Sequence, residues 1–162
     1  MKKFGLIGHP VAHSLSPALF KAGYDGRYPY ELIEEEAFDA AYSRFIDGYD
    51  GINVTAPFKE QAFAKADIVS EECRAIGAAN ILIKTPEGIK AHNSDYLGVR
   101  MWIQEIIGSD SLKTVLIVGA GGAGKAAATA AASLGLKTTI INRTMSKAVE
   151  WAERQGIYKY II

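Results

Sequence analysis

Residues 113–144, KTVLIVGAGGAGKAAATAAASLGLKTTIINRT, constrain this chain more than any other stretch. They open on Thr114-Val115-Leu116-Ile117-Val118, an apolar, β-branched run without polar alternation. That is the pattern of a strand covered on both faces. Gly119, Gly121 and Gly124 then fit G-x-G-x-x-G, and an alanine-rich helix follows over residues 125–134. Gly135 supplies a stop, and residues 137–142 read as a second strand. Strand, glycine turn, helix and strand within about thirty residues make the first βαβ unit of a dinucleotide-binding domain. Glycines let the backbone approach a pyrophosphate, and free N–H groups at the helix start receive its charge.

The same letters fit most of a phosphate-binding P-loop, from Gly119 to Gly124 and Lys125. That motif next needs a Ser or Thr hydroxyl for magnesium, and here Ala126 follows. The end of the second strand discriminates further. A domain selecting NAD usually carries Asp or Glu there for the ribose 2′-hydroxyl. Asn142, Arg143 and Thr144 stand at that place instead, with Lys147 one turn on. A carboxylate repels a 2′-phosphate, whereas Arg offers it a planar fork of donors. The expected cofactor is NADP; the plain alternative is a solvated basic helix start.

Composition sets the remaining bounds. A chain of 162 residues, 49% apolar and 22% charged, can bury a core as one domain or two small ones. Its formal net charge is zero, so no basic excess points to nucleic acid. The single cysteine, Cys73, excludes an internal disulfide framework and suits a reducing, cytoplasmic setting. Its spacing from Ile68, Val69 and Ile76 suggests a buried helical thiol. Lys2 and Lys3 resemble the start of a signal peptide, but Gly8-His9-Pro10 breaks the apolar run. No stretch reaches transmembrane length, and neither a membrane partner nor a metal is expected.

Taken in order, Phe4-Gly5-Leu6-Ile7-Gly8 reads as a short buried strand that runs into a polar loop. Ser16 before Pro17 suits an N-cap. Ser14 and Ser16 beside a helix start also suit a carboxylate, and spacing alone leaves both readings open. His9 and His13 read as loop residues. Tyr30-Glu31-Leu32-Ile33 is a strand, Glu34-Glu35-Glu36 a solvated acidic turn, and Phe38, Ala41 and Phe45 one helical face. The strand Gly51-Ile52-Asn53-Val54-Thr55 ends at Ala56-Pro57-Phe58-Lys59, where proline opens another helix. Lys59 beside Asn53 and Thr55 suits a small oxygenated ligand, or else is a surface lysine. Gly77-Ala78-Ala79-Asn80 leads into a hairpin that turns at Thr85-Pro86-Glu87-Gly88. Asn93-Ser94-Asp95 caps a helix running to Ile107, and Gly108-Ser109-Asp110-Ser111 marks a junction. The chain therefore reads as an α/β protein: residues 1–107 form a substrate-binding α/β domain and residues 112–162 part of a Rossmann domain. In open α/β sheets, ligands bind at strand ends.

These motifs come in a telling order. They are Ser14-Leu15-Ser16-Pro17, Asn53-Val54-Thr55-Ala56-Pro57-Phe58-Lys59, Gly77-Ala78-Ala79-Asn80, Asn93-Ser94-Asp95, the glycine turn, and Asn142-Arg143-Thr144. The set resembles the shikimate dehydrogenase family, NADPH enzymes of aromatic amino-acid biosynthesis that reduce 3-dehydroshikimate. The resemblance implies that Ser14 and Ser16 hold the substrate carboxylate and that Lys59 is the catalytic lysine, paired with Asp95. It implies that Asn80 and Asp95 fix ring hydroxyls, with Thr55 and Asn53 adding hydrogen bonds. Gly119, Ala120, Gly121, Gly122 and Ala123 would cradle the NADP pyrophosphate, and Asn142, Arg143, Thr144 and Lys147 would enclose the 2′-phosphate. A homodimer and a cytoplasmic location are further expectations.

The chain also departs from the family. Phe20 and Lys21 stand where it often has His-Asn, and Ala91 and Tyr96 stand where glycines commonly flank the N-[ST]-D motif. The sequence stops near the third Rossmann strand, before the family's later N-A-T-P-like strand end and its C-terminal helix. Two alternatives therefore stand beside the NADP enzyme: an NAD-using quinate/shikimate dehydrogenase, and a non-catalytic binding fragment.

Overall fold

The computed structural model describes residues 1–107, 114–155, 157 and 159–161. They divide into two compact units, Met1–His92 and Asn93–Ile162. The expected junction at Gly108-Ser109-Asp110-Ser111 lies outside the described residues.

The first unit runs β1 (Phe4–Gly8), α1 (Ser16–Gly23), β2 (Tyr30–Glu34), α2 (Phe38–Gly48), β3 (Gly51–Val54) and α3 (Lys59–Lys65). It continues through β4 (Ile68–Val69), α4 (Glu71–Ile76), β5 (Ile81–Thr85) and β6 (Gly88–His92). The strands form one sheet in the order β2-β1-β3-β5-β6-β4. β2 and β3 flank β1 in parallel, as crossover helices require. β5 runs antiparallel to β3, and the tight turn returns β6 antiparallel to β5. Alternate residues face α2, α3 and α4: Ile7, Ile33, Ile52, Val54, Leu82 and Ala91 pack there with Phe38, Ala41, Phe45, Ala62 and Cys73. Emptying the place of a ring such as Phe45 from a core of this kind costs about 3–5 kcal/mol.

Several expectations change in this unit. Ser16 is the first residue of α1 and Leu15 its N-cap, with no side-chain cap bond, because leucine has no acceptor to offer. Pro57 precedes α3 in a turn, following a cis peptide bond, and the helix begins at Lys59. Ile68 and Val69 are strand rather than helix, since they pair in parallel with Lys90 and Ala91 of β6. Cys73 is indeed a buried helical thiol, and burial pushes it up to about 11, so it stays protonated and inert.

The second unit runs α5 (Ser94–Ile107), β7 (Thr114–Val118), α6 (Gly122–Ser133), β8 (Lys137–Ile141), α7 (Met145–Arg154) and β9 (Lys159–Ile161). All its described strands are parallel, in the order β7-β8-β9. This is one half of a doubly wound sheet. Gly135, at φ +73°, ends α6: its N–H and that of Leu136 bond back to Ala132 and Ala131. Among the described residues β7 is covered on one face. Ile117 faces the core with Ala128, Ile140 and Trp151, while Leu116 and Val118 are 60% and 79% exposed. β7 is the edge strand of the described sheet and is packed on one face only.

Candidate functional site

At the C-terminal end of β1 the chain turns into the loop carrying Ser14 and Ser16. The Ser14 N–H donates to the Val11 carbonyl at 2.9 Å. The loop is held from β2 as well: Glu34 Oε2 accepts from the Val11 and Ala12 N–H groups at 2.7 and 2.9 Å. Those bonds hold the Glu34 carboxyl below its ordinary range. Glu35 pairs with Arg44 at 2.9 Å, so the acidic triplet is more than a solvated turn.

β3, parallel to β1, ends beside it, and Asn53, Thr55 and Lys59 follow one another there. The Thr55 N–H donates to the Ile7 carbonyl at 2.9 Å. The antiparallel return of β5 brings Asn80 to the same sheet end. The Asn80 carbonyl accepts from the Val54 N–H at 2.8 Å, and the Lys59 carbonyl accepts from the Ala79 N–H at 2.9 Å. The structure thus gathers Ser14, Ser16, Asn53, Thr55, Lys59 and Asn80 at one end of one sheet. Such a set can hold an anion on hydroxyls, hydrogen-bond several oxygens, and present a proton on an ammonium. Asp95 belongs to the second unit, as the second residue of α5. The cap there is Asn93, 1% exposed, whose Oδ1 accepts from the Tyr96 N–H at 3.3 Å.

Sequence reasoning missed Tyr30, whose hydroxyl donates to Asn53 Oδ1 at 2.8 Å. It also missed Glu34 as the loop's anchor. Glu34 closes a strand, and the strand-end rule would have flagged it; Tyr30 needed the strand order.

The loop makes a pH prediction. The folded Glu34 carboxyl is depressed, so its contribution is full above the unfolded carboxylate range and is lost as pH falls through the depressed value. The Val11 and Ala12 amide resonances are expected to hold at neutral pH and to move toward disordered positions on acidification. Glu34→Gln should abolish that acid transition, because a neutral amide does not titrate. An unchanged transition in Glu34→Gln would assign it to another group.

In the second unit, Gly119 adopts φ +104°, in the left-handed region, and its N–H donates to the Ile141 carbonyl at 2.7 Å. A Cβ on Gly124 would stand 1.9 Å from the Gly119 carbonyl oxygen, so helix and strand approach as closely as only glycine allows. A Cβ on Gly121 would meet nothing within 4 Å. No neighbour in the chain therefore requires glycine at 121, and its open side at the start of α6 is where a pyrophosphate needs room. Asn142 holds the turn: its Oδ1 accepts from the Ala120 N–H at 3.1 Å and its Nδ2 donates to the Thr144 carbonyl at 2.7 Å. Arg143 and Thr144 are exposed beside it. The Lys147 side chain lies outside the described residues.

Among the described residues, no helix is long and apolar enough to cross a membrane. No group of three or more His, Cys, Asp or Glu among them is placed to hold a metal.

A mixed-sheet α/β unit with polar groups at one sheet end, followed by a Rossmann-type half-sheet, defines a two-unit protein of the dinucleotide-binding class. Residues 6–82 match the shikimate dehydrogenase substrate binding domain, and residues 102–162 match shikimate / quinate 5-dehydrogenase. The chain belongs to the shikimate dehydrogenase family. A shikimate dehydrogenase (NADP(+)) from Acidiphilium cryptum is 38% identical over 159 residues, covering 94% of this chain and 58% of that relative. The structure of a shikimate 5-dehydrogenase from Thermus thermophilus in complex with NADP(H) and shikimate superposes with a TM-score of 0.82 at 34% identity. That match covers 100% of this chain and 63% of the other. A quinate dehydrogenase from Corynebacterium glutamicum in complex with NAD superposes with a TM-score of 0.81 at 26% identity, over 99% of this chain and 63% of the other. The chain thus spans less than two thirds of the length of these relatives.

Proposed function

We propose that this chain carries the shikimate site and half of the cofactor site of an NADP-dependent shikimate dehydrogenase. The reaction is the reversible reduction of 3-dehydroshikimate to shikimate, in cytoplasmic aromatic amino-acid biosynthesis. The observation that carries this reading is the gathering of Ser14, Ser16, Asn53, Thr55, Lys59 and Asn80 at one sheet end. Ser14 and Ser16 hold the carboxylate, and Asn53, Thr55 and Asn80 bond the ring oxygens. NADPH, when bound, supplies the hydride that reaches the ketone carbon. Lys59 gives its proton to the oxygen that becomes the hydroxyl, and Asp95 orients that hydroxyl. Gly119, Ala120, Gly121, Gly122 and Ala123 receive the pyrophosphate. Asn142, Arg143, Thr144 and Lys147 surround the 2′-phosphate. The active form is read as a homodimer.

The test is direct: titrate shikimate and NADP⁺ into the chain, then follow NADPH absorbance with both present. Binding of both supports the reading, and binding of neither overturns it. Cofactor choice is separately testable. Arg143→Ala is expected to weaken NADP⁺ by about 10- to 150-fold, the scale of a lost charge-assisted hydrogen bond, and to leave NAD⁺ within about twofold. Equal losses for both cofactors would make Arg143 a support of the turn. A quinate dehydrogenase using NAD fits less well, since no carboxylate ends β8.

A further inference from the structure

Tyr30 has no role in the mechanism above. It lies on β2, with β1 between it and β3, yet its hydroxyl reaches Asn53 Oδ1 at 2.8 Å. Its ring packs on Phe20 of α1 with centroids 4.6 Å apart, and Phe20 packs in turn on Phe4 at 5.3 Å and Tyr24 at 4.5 Å. Rings packed in this way leave the phenol little freedom to swing.

The hydroxyl end is equally constrained. Ser14 donates to Ser16 Oγ at 3.0 Å and accepts from the Ser16 N–H at 3.2 Å. Burial pushes the Tyr30 phenol above its ordinary value, so it keeps its proton. Each hydroxyl has one proton to give. Ser14 thus commits its proton to Ser16, and Tyr30 commits its own to the Asn53 amide oxygen. An inverted Asn53 amide would leave the Tyr30 proton without that acceptor. With its Oδ1 taken by the phenol, the Asn53 amide directs its NH₂ to the other side.

We propose that Tyr30 is a positioning residue: it fixes the Asn53 amide so that its NH₂ is presented to an acceptor oxygen of the substrate. When a carboxylate draws the Ser14 and Ser16 protons, the donation from Tyr30 to Asn53 persists, so the amide stays oriented as the ligand arrives. The inference rests on reading this cluster as the shikimate site. It adds a selection rule, since a fixed donor favours a ketone or hydroxyl oxygen over a donor group such as an ammonium at the same point.

The test is a double-mutant cycle on the 162-residue chain with shikimate as the calorimetric probe, alongside spectra of the Asn53 side-chain amide. Tyr30→Phe keeps the ring and removes one hydroxyl, so thermal unfolding should move little. It should weaken shikimate about three- to tenfold, the range for one hydrogen bond. In an Asn53→Ala background the same change should cost less than about twofold, because Tyr30 acts through Asn53. The Asn53 NH₂ resonances should shift in Tyr30→Phe without any ligand. Wild-type affinity in Tyr30→Phe, losses that multiply in the double variant, or unmoved Asn53 resonances would overturn the proposal. If the wild-type chain binds no shikimate, the functional reading fails instead, and the Asn53 resonances alone decide the positioning.

Discussion

In an intact shikimate dehydrogenase that carries this chain, Lys59→Ala is expected to slow NADP-linked oxidation of shikimate by about 10²- to 10⁴-fold, the range for a lost general acid or base. At about 1.4 kcal/mol per factor of ten, that is a barrier increase of roughly 3–5 kcal/mol. Lys59 begins α3 directly after the β3 turn and is half-buried there. Its backbone carbonyl is bound by Ala79, which fixes the start of the helix against the strand that carries Asn80. The substitution removes an ammonium and leaves that backbone bond, so shikimate affinity should change much less than turnover. Lys59→Arg should not restore the rate, because a guanidinium keeps the charge but does not release its proton at ordinary pH. Initial rates by NADPH absorbance, with affinity by calorimetry, separate the two effects. Normal turnover in Lys59→Ala would remove Lys59 from the chemistry.

The second large effect lies at the third glycine. Gly124→Ala places a methyl 1.9 Å from the Gly119 carbonyl oxygen, and both sides of that contact are backbone. Neither can move aside as a side-chain tip can, so α6 must lift from the end of β7. Forced overpacking of this kind costs about 1–3 kcal/mol, a large share of what a small unit has. The second unit should melt earlier, and NADP⁺ binding should fall with it. Gly121→Ala provides the contrast. Its methyl meets no atom of the chain within 4 Å, so stability should be unchanged. The methyl would nevertheless occupy the side from which a pyrophosphate approaches, and NADP⁺ should weaken by about tenfold or more. Equal affinity in Gly121→Ala and the wild type would mean that the cofactor does not lie over this turn.

Much of the second unit was legible because its signals are local. The β-branched run, the three glycines, the alanine helix and Gly135 each act on backbone within a few residues, and β7, α6 and β8 form where those signals stand. The motifs of the first unit were legible in the same way, one strand end at a time. Their assembly was a different matter. Asn80 reaches the site because β5 turns antiparallel beside β3, and nothing within residues 77–84 specifies that pairing. Ile68 and Val69 looked helical through their spacing from Cys73, but pairing with β6 makes them a strand. Glu34 holds the Val11 and Ala12 amides across 23 and 22 positions of sequence, and Tyr30 reaches Asn53 across another 23. The exposed face of β7 likewise follows from which described elements pack on it, not from its letters. The sequence by itself singled out the candidate polar residues and the short elements that bear them, since propensity, turns and caps are near-neighbour effects. Only the tertiary structure decided which polar groups share a site and which hold the others in place. Those are long-range contacts, set when the sheet closes its strand order.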